Sequence, residues 1–317
     1  MTIQWYPGHM HKAQKEIKEA LPKVDLVIEV VDARIPYSST NPDVAKILEN
    51  SEKKRPIIRI LNKVDLADPA ITKLWCEEFD SHQDTRSLPI TAKKPEEVRK
   101  LIKLCHQLLP EFKKKEKPIN AMIMGIPNVG KSTIINILSN RTIAKVGNEP
   151  AVTKRQQRID LDEGIILWDT PGFLWPKIEN TNSSYRLAIS GAIKDTVLEY
   201  DDIAYYAMDY LKVHYLAALK STYKLDGLFV DDLPQDTTQI LEEIGRLRGC
   251  LQRGGRIDLD RVCKILVHEF RSSILGNISL ETPEMVKHEL VEVEEKIRLK
   301  AEKDEANKGK KKKRKRR

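Results

Sequence analysis

The sequence predicts an α/β fold, with a mostly parallel sheet flanked by helices, followed by an all-helical domain. Residues 24–35 (VDLVIEVVDARI) form a dense β-branched run, which is typical of a strand buried on both faces of a parallel sheet. Strand-like and helix-like patterns then alternate through residues 56–138. Such alternation favours βαβ units. After about residue 180 only helical patterns remain, and these predict the second domain.

The remaining elements of the first domain follow from local patterns. Strands are predicted at residues 56–66, 87–94 and 119–125, and residues 159–172 predict a hairpin-like pair. Residues 96–109 repeat apolar side chains with a helical period. Several of these strands run directly into polar or glycine-rich loops.

The second domain is predicted from helical segments and their capping residues. Residues 183–225 have a helical pattern throughout, and residues 236–251 follow an Asp–Thr cap. Another helix begins with Thr282 as its cap and Pro283 at the first helical position, where the missing N–H costs nothing. We therefore predict two domains and a tail, at residues 1–180, 181–305 and 306–317.

The net charge of +8 is concentrated in the tail. The last ten residues (KGKKKKRKRR) hold nine of the 55 basic groups, and the remaining 46 nearly balance the 47 acidic ones. A run of like charges cannot be buried, so we expect this tail to be disordered when free. It favours binding to nucleic acid, because a polycation releases counterions from phosphates. A solvated tail and a membrane-surface patch are the alternatives.

Other features of the composition exclude several classes of protein. No apolar run approaches the ~18 residues of a membrane span, and the first residues contain no apolar signal segment. The four cysteines lack the C-x-x-C spacing of a zinc site, which favours reduced thiols at Cys76, Cys105, Cys250 and Cys263. We therefore expect a cytoplasmic protein that does not bind membranes.

A phosphate-binding loop is predicted at residues 125–132 (GIPNVGKS), between a strand and a helix. The segment matches G-x-x-x-x-G-K-[ST], in which the glycines allow backbone N–H groups to surround the phosphates. Lys131 would supply positive charge to the β- and γ-phosphates. The Ser132 hydroxyl would bind Mg²⁺.

A second motif, DTPG at residues 169–172, follows the phosphate loop after the spacing that a GTPase requires. Asp169 would hold Mg²⁺ through a water molecule, and the Gly172 N–H would contact the γ-phosphate. Thr153 lies between the two motifs and is the predicted switch threonine for Mg²⁺ and the γ-phosphate. A plain loop threonine is the alternative.

The segment NKVDL at residues 62–66 indicates which base is bound. The Asp65 carboxylate can accept hydrogen bonds from both N1–H and N2–H of guanine, whereas adenine offers no such pair of donors. Asn62 would brace neighbouring loops, and the aliphatic stem of Lys63 would lie over the ring. A backbone N–H near Ala92 would bond to O6. The motifs therefore predict binding of GTP and GDP.

The predicted nucleotide-binding residues come from the base-reading loop, the T-A-K segment, the phosphate loop and DTPG. They are Asn62, Lys63, Val64, Asp65, Thr91, Ala92, Asn128, Val129, Gly130, Lys131, Ser132, Thr133 and Gly172. Ser132, Thr153 and Asp169 (through water) are the predicted Mg²⁺ residues.

These motifs occur in an unusual order, because the base-reading loop precedes the phosphate loop. This is the order of a circularly permuted GTPase domain. Residues 113–118 (KKKEKP) would join the helix that is normally last to the strand that is normally first. The segment that senses the γ-phosphate then runs directly into the helical domain, so we infer that hydrolysis changes how that domain docks.

The residue that orients the attacking water is absent from its usual place. A Ras-type enzyme uses a Gln just after the DxxG motif, and here that position is Phe173, which has no polar group. We assign the role to His9, with a structural or RNA-facing histidine as the alternative. Lys131 is the other predicted catalytic residue. Asn128 is a candidate ligand for a monovalent cation beside the phosphates.

Longer motifs extend across nearly the whole chain. They are WYPGHM, DARIPYSSTNP (32–42), NKVDL, GIPNVGKS, DTPGFLWP and RGGRIDLDR…FRSSILGNISLE (253–281). Together they resemble the circularly permuted bacterial GTPases typified by ribosome biogenesis GTPase A. The chain departs from that family at Ala151, where PAVTK replaces an expected PGVTK, and in its longer, more basic tail.

The resemblance implies a cytoplasmic GTPase that binds a late precursor of the large (50S) ribosomal subunit and leaves it after hydrolysis. It also implies that a hydrophobic residue replaces the catalytic Gln, as at Phe173, that His9 acts in catalysis, and that K⁺ stimulates the enzyme through Asn128. The helical domain would contact rRNA. We expect a monomer whose slow turnover is stimulated by the ribosome. A GTP-dependent RNA-binding regulator or scaffold acting away from the ribosome is the alternative.

Overall fold

The computed structural model describes residues 3, 9–51, 53–142, 157–161, 163–225 and 236–314. At His9, Ala13 and residues 304–314 it describes only the backbone. The predicted switch threonine, Thr153, and the family departure at Ala151 lie outside the described residues.

The centre of the molecule is a six-stranded sheet with the order β3-β2-β1-β4-β6-β5. All neighbours are parallel except β5 and β6, which form the predicted antiparallel pair. The strands are β1 Leu26–Asp32, β2 Ile57–Asn62, β3 Thr85–Pro89, β4 Ile119–Met124, β5 Gln157–Asp160 and β6 Ile165–Asp169. The predicted α/β class with a mostly parallel sheet is confirmed.

Strand β1 is central because its β-branched residues tolerate burial on both faces, and every one of its residues is buried. It pairs with β2 on one side and with β4 on the other. The register aligns Asp32 with Asn62, so both strands end at the same level. The loops that follow β1, β2, β4 and β6 therefore meet at one edge of the sheet.

Within the described part of the chain, six α-helices accompany the sheet. Helix α2 begins with an Asn cap and a proline, and α3 begins with an Asp cap and a proline. Helix α3 packs beside β3, and α4 packs against α6. The helices are α1 His9–Ala20, α2 Pro42–Glu49, α3 Pro69–Asp80, α4 Pro95–Leu108, α5 Pro110–Lys114 and α6 Lys131–Leu138.

The C-terminal region is helical, as predicted. Helix α11 contacts α7, α8 and α10, and its apolar face is buried among them. Among the described residues, no helix combines the length and apolar character needed to cross a bilayer. The helices are α7 Thr181–Ser190, α8 Tyr200–His214, α9 Leu216–Tyr223, α10 Thr237–Leu247, α11 Leu259–Arg271 and α12 Pro283–Arg314.

Two details of the C-terminal region differ from the prediction. The helical pattern predicted throughout residues 183–225 is interrupted after Ser190, because Gly191 takes a left-handed conformation (φ 84°) that ends α7. The tail predicted to be disordered from residue 306 is instead helical as far as Arg314. Lys, Arg, Glu and Ala are good helix formers, so a helix started by the cap at Thr282 can propagate through them.

The helical region is joined to the sheet domain by a buried ionic network. The Arg186 guanidinium of α7 lies 3.2 Å from the Glu281 carboxylate and 2.5 and 2.9 Å from the two oxygens of Glu289 on α12. Glu281 also accepts hydrogen bonds from the Ser38 N–H (2.8 Å) and hydroxyl, which belong to the loop after β1. Burial raises the pKa of Glu281, although Arg186 and Ser38 oppose this effect. Arg186 therefore supplies positive charge to both carboxylates of the network.

We predict that Arg186→Met strongly destabilises the protein. Removing the cation leaves Glu281 buried without its charge partner, and breaking a buried ion pair in this way costs about 3–5 kcal/mol. The measurement is the free energy of unfolding from urea denaturation. The matched control is Lys73→Met, which breaks the exposed Lys73–Glu77 pair and should cost less than about 0.5 kcal/mol. Equal losses in the two variants would contradict the structural role of the network.

Candidate nucleotide-binding site

The phosphate loop is formed by the turn between β4 and α6. The two glycines of its G-x-x-x-x-G-K-[ST] motif have conformations that other residues rarely adopt. Gly125 has φ 148° and Gly130 has φ 100°. A Cβ atom at Gly125 would lie 2.4 Å from the Val30 carbonyl oxygen, and one at Gly130 would lie 2.2 Å from the Asn62 amide nitrogen. Glycine is therefore required at both positions, and α6 begins directly after the loop with its free N–H groups directed at it.

Lys131 lies inside this loop rather than in solvent. Its Nζ donates to the carbonyl oxygens of Gly125 (2.8 Å) and Ile126 (2.7 Å). Gly172 of the DTPG motif lies beside the same Nζ, because a Cβ atom added to this glycine would be 2.9 Å from it. The lysine and the DTPG motif are therefore close to each other. Burial lowers the pKa of Lys131 to about 8, with Asp169 opposing the shift. An ammonium group therefore lies within the loop that is predicted to bind phosphates.

Asp169 is a buried carboxylate at the end of β6. It is 1% exposed, and neither oxygen meets a donor of good geometry among the described residues. Burial raises its pKa to about 6, and Lys131 opposes the shift. An unsatisfied buried carboxylate is costly, so the site favours a ligand that supplies donors or positive charge. Hydrated Mg²⁺ fits this requirement, because Mg²⁺ prefers oxygen ligands and retains several of its waters.

The base-reading loop is held by the Asn62 side chain. Its Nδ2 donates to the carbonyl oxygen of Val129 in the phosphate loop (2.7 Å), and its Oδ1 accepts from the Ala92 N–H (3.1 Å). The Val64 N–H also donates to the Ile90 carbonyl oxygen (3.2 Å). Three loops that are distant in sequence are thus joined by one amide, in the bracing arrangement that the sequence suggested.

Asp65 faces solvent in part and is ionised. Burial would raise its pKa, but hydrogen bonds from Lys93 and Thr91 outweigh that effect and hold the pKa below its usual value. Lys93 lies 2.7 Å from the carboxylate, and its side chain is 75% exposed. Because an exposed lysine rearranges at little cost, it can give way to the N–H groups of a base. The sequence did not point to Lys93.

The segment after DTPG is fixed by residues from the N-terminal part of the chain. Phe173 is fully buried, and its carbonyl oxygen accepts a hydrogen bond from Asn41 Nδ2 (3.0 Å). The Leu174 N–H contacts the sulfur of Met10 (3.3 Å). The Phe173 ring therefore belongs to the core. His9 begins α1 directly before Met10, which places its backbone beside this segment, and its side chain lies outside the described atoms.

The structure also connects the nucleotide loops to the helical region. Asn128, at φ 61° in the phosphate loop, donates from Nδ2 to the carbonyl oxygen of Gly191 at the end of α7 (2.7 Å). The Ile278 N–H donates to the carbonyl oxygen of Leu66 in the base-reading loop (3.1 Å). The sequence assigned Asn128 to a cation and did not predict either contact, since both join residues more than sixty positions apart.

The predicted site residues in the described part of the chain come together at one edge of the sheet. The base-reading loop, the T-A-K segment, the phosphate loop, Asp169 and Gly172 are all linked by the contacts above. Sequence reasoning missed Asp32, Arg34 and Asn41, which lie buried behind these loops. The available signal is the polar stretch DARIPYSSTNP itself, which directly follows the strand pattern of residues 24–31.

Known GTPases resemble this chain in sequence over most of its length. A family described as "50S ribosome-binding GTPase" matches residues 120–227. The chain is 42% identical over 291 residues to Ribosome biogenesis GTPase A of Priestia megaterium, covering 89% of this chain and 98% of that protein. These matches include the phosphate loop and most of the sheet and helical regions.

Two solved structures are similar over most of the chain. A GDP-bound structure of TM YlqF has a TM-score of 0.59 at 26% identity and covers 84% of this chain and 99% of its own. GNP-bound YlqF from T. maritima has a TM-score of 0.57 at 27% identity, with 86% and 99% covered. Those two structures hold guanine nucleotides in a fold of this kind. The present chain belongs to the ribosome biogenesis GTPase A family and is a GTPase of ribosomal subunit assembly.

Proposed function

We propose that the protein binds a late precursor of the large (50S) ribosomal subunit in its GTP-bound form, through rRNA, and leaves after hydrolysis. The observation that supports this most directly is the pair of hydrogen bonds from the helical region to both nucleotide loops. Asn128 reaches Gly191, and Ile278 reaches Leu66. A partner bound to the helical region would therefore respond to the occupant of the site, since the two regions share contacts that the nucleotide can change.

The residues of the site have separate roles in this proposal. Backbone N–H groups of the phosphate loop, from Asn128 to Thr133, hold the phosphates, and Lys131 stabilises charge on the β- and γ-groups. Ser132, Thr153 and Asp169, the last through water, would hold Mg²⁺, which neutralises the phosphate charge when it is bound. Both Asp169 oxygens lack a well-aligned donor within the part of the chain that the structure describes, which supports this assignment.

Recognition of guanine is assigned to the loop after β2. Asp65 would accept from N1–H and N2–H, Lys63 would cover the ring with its aliphatic stem, and the Ala92 N–H would bond to O6. The neighbouring residues Val64 and Thr91 would shape the pocket. Thr91 is buried and helps to keep Asp65 ionised, which supports the acceptor role of that carboxylate.

Activation of the attacking water is assigned to His9. Phe173 is buried and has no group that could orient water. The contact between Met10 and the Leu174 N–H supports a position for His9 next to the γ-phosphate segment. We infer slow hydrolysis by the protein alone, with stimulation by the ribosome and by K⁺ held with the help of Asn128.

The remaining assignments concern the partner. We infer that the basic residues from Lys308 onward add affinity for rRNA, because each phosphate contact releases a counterion. The protein would act as a monomer in the cytoplasm, where ribosomal subunits are assembled. Action as a GTP-dependent RNA-binding regulator or scaffold away from the ribosome is the competing outcome of the test that follows.

Binding to ribosomal particles is the first test. We expect the protein to co-sediment with precursors of the large subunit in the presence of a non-hydrolysable GTP analogue and to remain in the supernatant with GDP. Small subunits under the same salt conditions are the control, because a purely electrostatic interaction would not distinguish the two particles. Equal binding to both particles, or no dependence on the nucleotide, would favour an RNA-binding role away from the ribosome.

The role of His9 is tested by His9→Ala. We expect the rate of GTP hydrolysis to fall by about a hundredfold, because positioned acid–base groups contribute that much, while the affinity for GTP is retained. The measurement is single-turnover hydrolysis in K⁺ buffer together with a nucleotide titration. His11→Ala, on the exposed side of the same helix, is the matched control. Equal rates in His9→Ala and the wild type would remove His9 from the mechanism.

The base assignment is tested by Asp65→Asn. The amide replaces one acceptor oxygen with a donor, so we expect affinity for GDP to fall by about ten- to a hundredfold, as for loss of a hydrogen bond to a charged group. Affinity for ADP should stay low. The measurement is titration with a fluorescent GDP analogue. Unchanged affinity for GDP would show that another residue reads the base.

A further inference from the structure

Residues 32–42 (DARIPYSSTNP) form a loop between β1 and α2, here called the 32–42 loop. Although it is rich in polar residues, its two ends are buried, with Asp32 2% exposed and Asn41 fully buried. A buried polar residue requires partners, and these two have partners in different parts of the nucleotide site.

At the first end, Asp32 holds the lysine of the base-reading loop. Its carboxylate accepts from Lys63 Nζ (2.8 Å) and from Arg34 Nε (2.9 Å) and Nη2 (2.8 Å). Lys63 has φ 67°, a left-handed conformation that costs energy for a residue with a side chain. A charge-assisted bond at the tip of the side chain fixes the path of its aliphatic stem.

Arg34 holds Asp32 in place from the opposite side. Its guanidinium lies 5.0 Å from the centre of the Phe270 ring, and its carbonyl oxygen accepts from the Leu280 N–H (2.9 Å). The Asp32 N–H donates to the Ser39 hydroxyl (2.9 Å). The carboxylate is thus held both by its own loop and, through Arg34, by the helical region.

At the second end, Asn41 holds the segment that follows the γ-phosphate sensor. Its Nδ2 donates to the Phe173 carbonyl oxygen (3.0 Å), and its N–H donates to Glu29 Oε1 (3.1 Å). Its Oδ1 also accepts from the Asp43 N–H (3.0 Å) and caps α2. The bond fixes the Phe173–Leu174 peptide unit, which is two units after the one that carries the Gly172 N–H, and so restrains the segment that follows Gly172.

We propose that the 32–42 loop positions the nucleotide site at both of its ends, with Asp32 orienting Lys63 at the base and Asn41 orienting the Gly172 segment at the γ-phosphate. This inference rests on the roles proposed above for Lys63 and Gly172. The two residues act through others and are positioning residues. Loss of Asp32 should affect the affinities for GDP and GTP alike, because both contain the base. Loss of Asn41 should affect only GTP, because only GTP contains the γ-phosphate.

The first arm of the test measures how Asp32→Asn changes affinity for GDP and for IDP, which lacks the N2 amino group. Covering a ring is independent of that group, so we expect both affinities to fall by the same factor, about tenfold. In the same titrations Asp65→Asn should lose more affinity for GDP than for IDP. A loss in Asp32→Asn confined to GDP would overturn the proposal, because it would place Asp32 at the base edge rather than behind Lys63.

A double-mutant cycle tests whether Asp32 acts through Lys63. We expect Asp32→Asn combined with Lys63→Ala to bind GDP within about twofold of Lys63→Ala alone, because the second change removes what Asp32 positions. A larger loss in the double variant would overturn the proposal. If Asp32→Asn does not fold, Lys63→Met serves instead, because it removes the bond to Asp32 and leaves the Asp32–Arg34 pair intact. We then expect the affinities for GDP and IDP to fall by the same factor, and unchanged affinities would overturn the proposal.

The second arm concerns Asn41→Ser. Serine keeps an oxygen that can cap α2 but is too short to donate to the Phe173 carbonyl. We expect affinity for GDP to stay within about twofold of the wild type, and affinity for GTPγS and the rate of GTP hydrolysis to fall by about tenfold. Equal losses for GDP and GTPγS would overturn the assignment to the γ-phosphate side.

Asp25→Asn is the matched control for both arms. Asp25 directly precedes β1, at the end of the strand far from the site, and forms a 2.6 Å ion pair with Lys53. Its loss should lower stability without changing any nucleotide affinity. If Lys63→Ala leaves GDP affinity unchanged while Asp32→Asn lowers it, the proposal is overturned. If Asp65→Asn is also without effect, the base assignment itself fails, and the two failures are thereby distinguished.

Discussion

The side-chain amide of Asn62 is the interaction on which the nucleotide site depends. It donates to the Val129 carbonyl oxygen and accepts from the Ala92 N–H, and it is buried at the end of β2. In a permuted chain these loops lie on different segments with no short covalent link between them. One buried amide with both of its polar atoms bonded therefore fixes the distance between the base-reading loop and the phosphate loop. The aligned ends of β1 and β2 bring the Asn62 side chain to the correct level.

The permutation also determines how the helical region is attached. The chain continues from DTPG into α7, and α7 carries the arginine that pairs with Glu281 and Glu289. A short segment of the helical region returns to bond with Leu66 and Arg34. The helical region thus contacts the base-reading loop, the phosphate loop and the loop after β1. We propose that a change at the γ-phosphate reaches the helical region through these contacts.

Much of the fold and of the nucleotide site could be predicted from the sequence. The long-range contacts could not, for a physical reason. The phosphate loop, the base-reading loop and the reversed order follow from short motifs, because glycines and an acidic residue are required at fixed spacings. The contacts of Asn41 with Phe173 and of Arg186 with Glu289 join residues 132 and 103 positions apart, and a local pattern does not encode such pairs. The end of α7 at Gly191 was also missed, since a glycine within an apolar helical pattern does not reveal its left-handed conformation.

We propose that the helical region and the nucleotide site respond to each other and that the ribosome completes the nucleotide site. The most direct test measures GTP hydrolysis in potassium buffer by the protein alone and with purified large ribosomal subunits, with binding of the subunits monitored in the same samples. The account predicts clear stimulation of the hydrolysis rate by the subunits. An unchanged rate with the subunits bound would contradict it, because binding would then leave the nucleotide site unaffected.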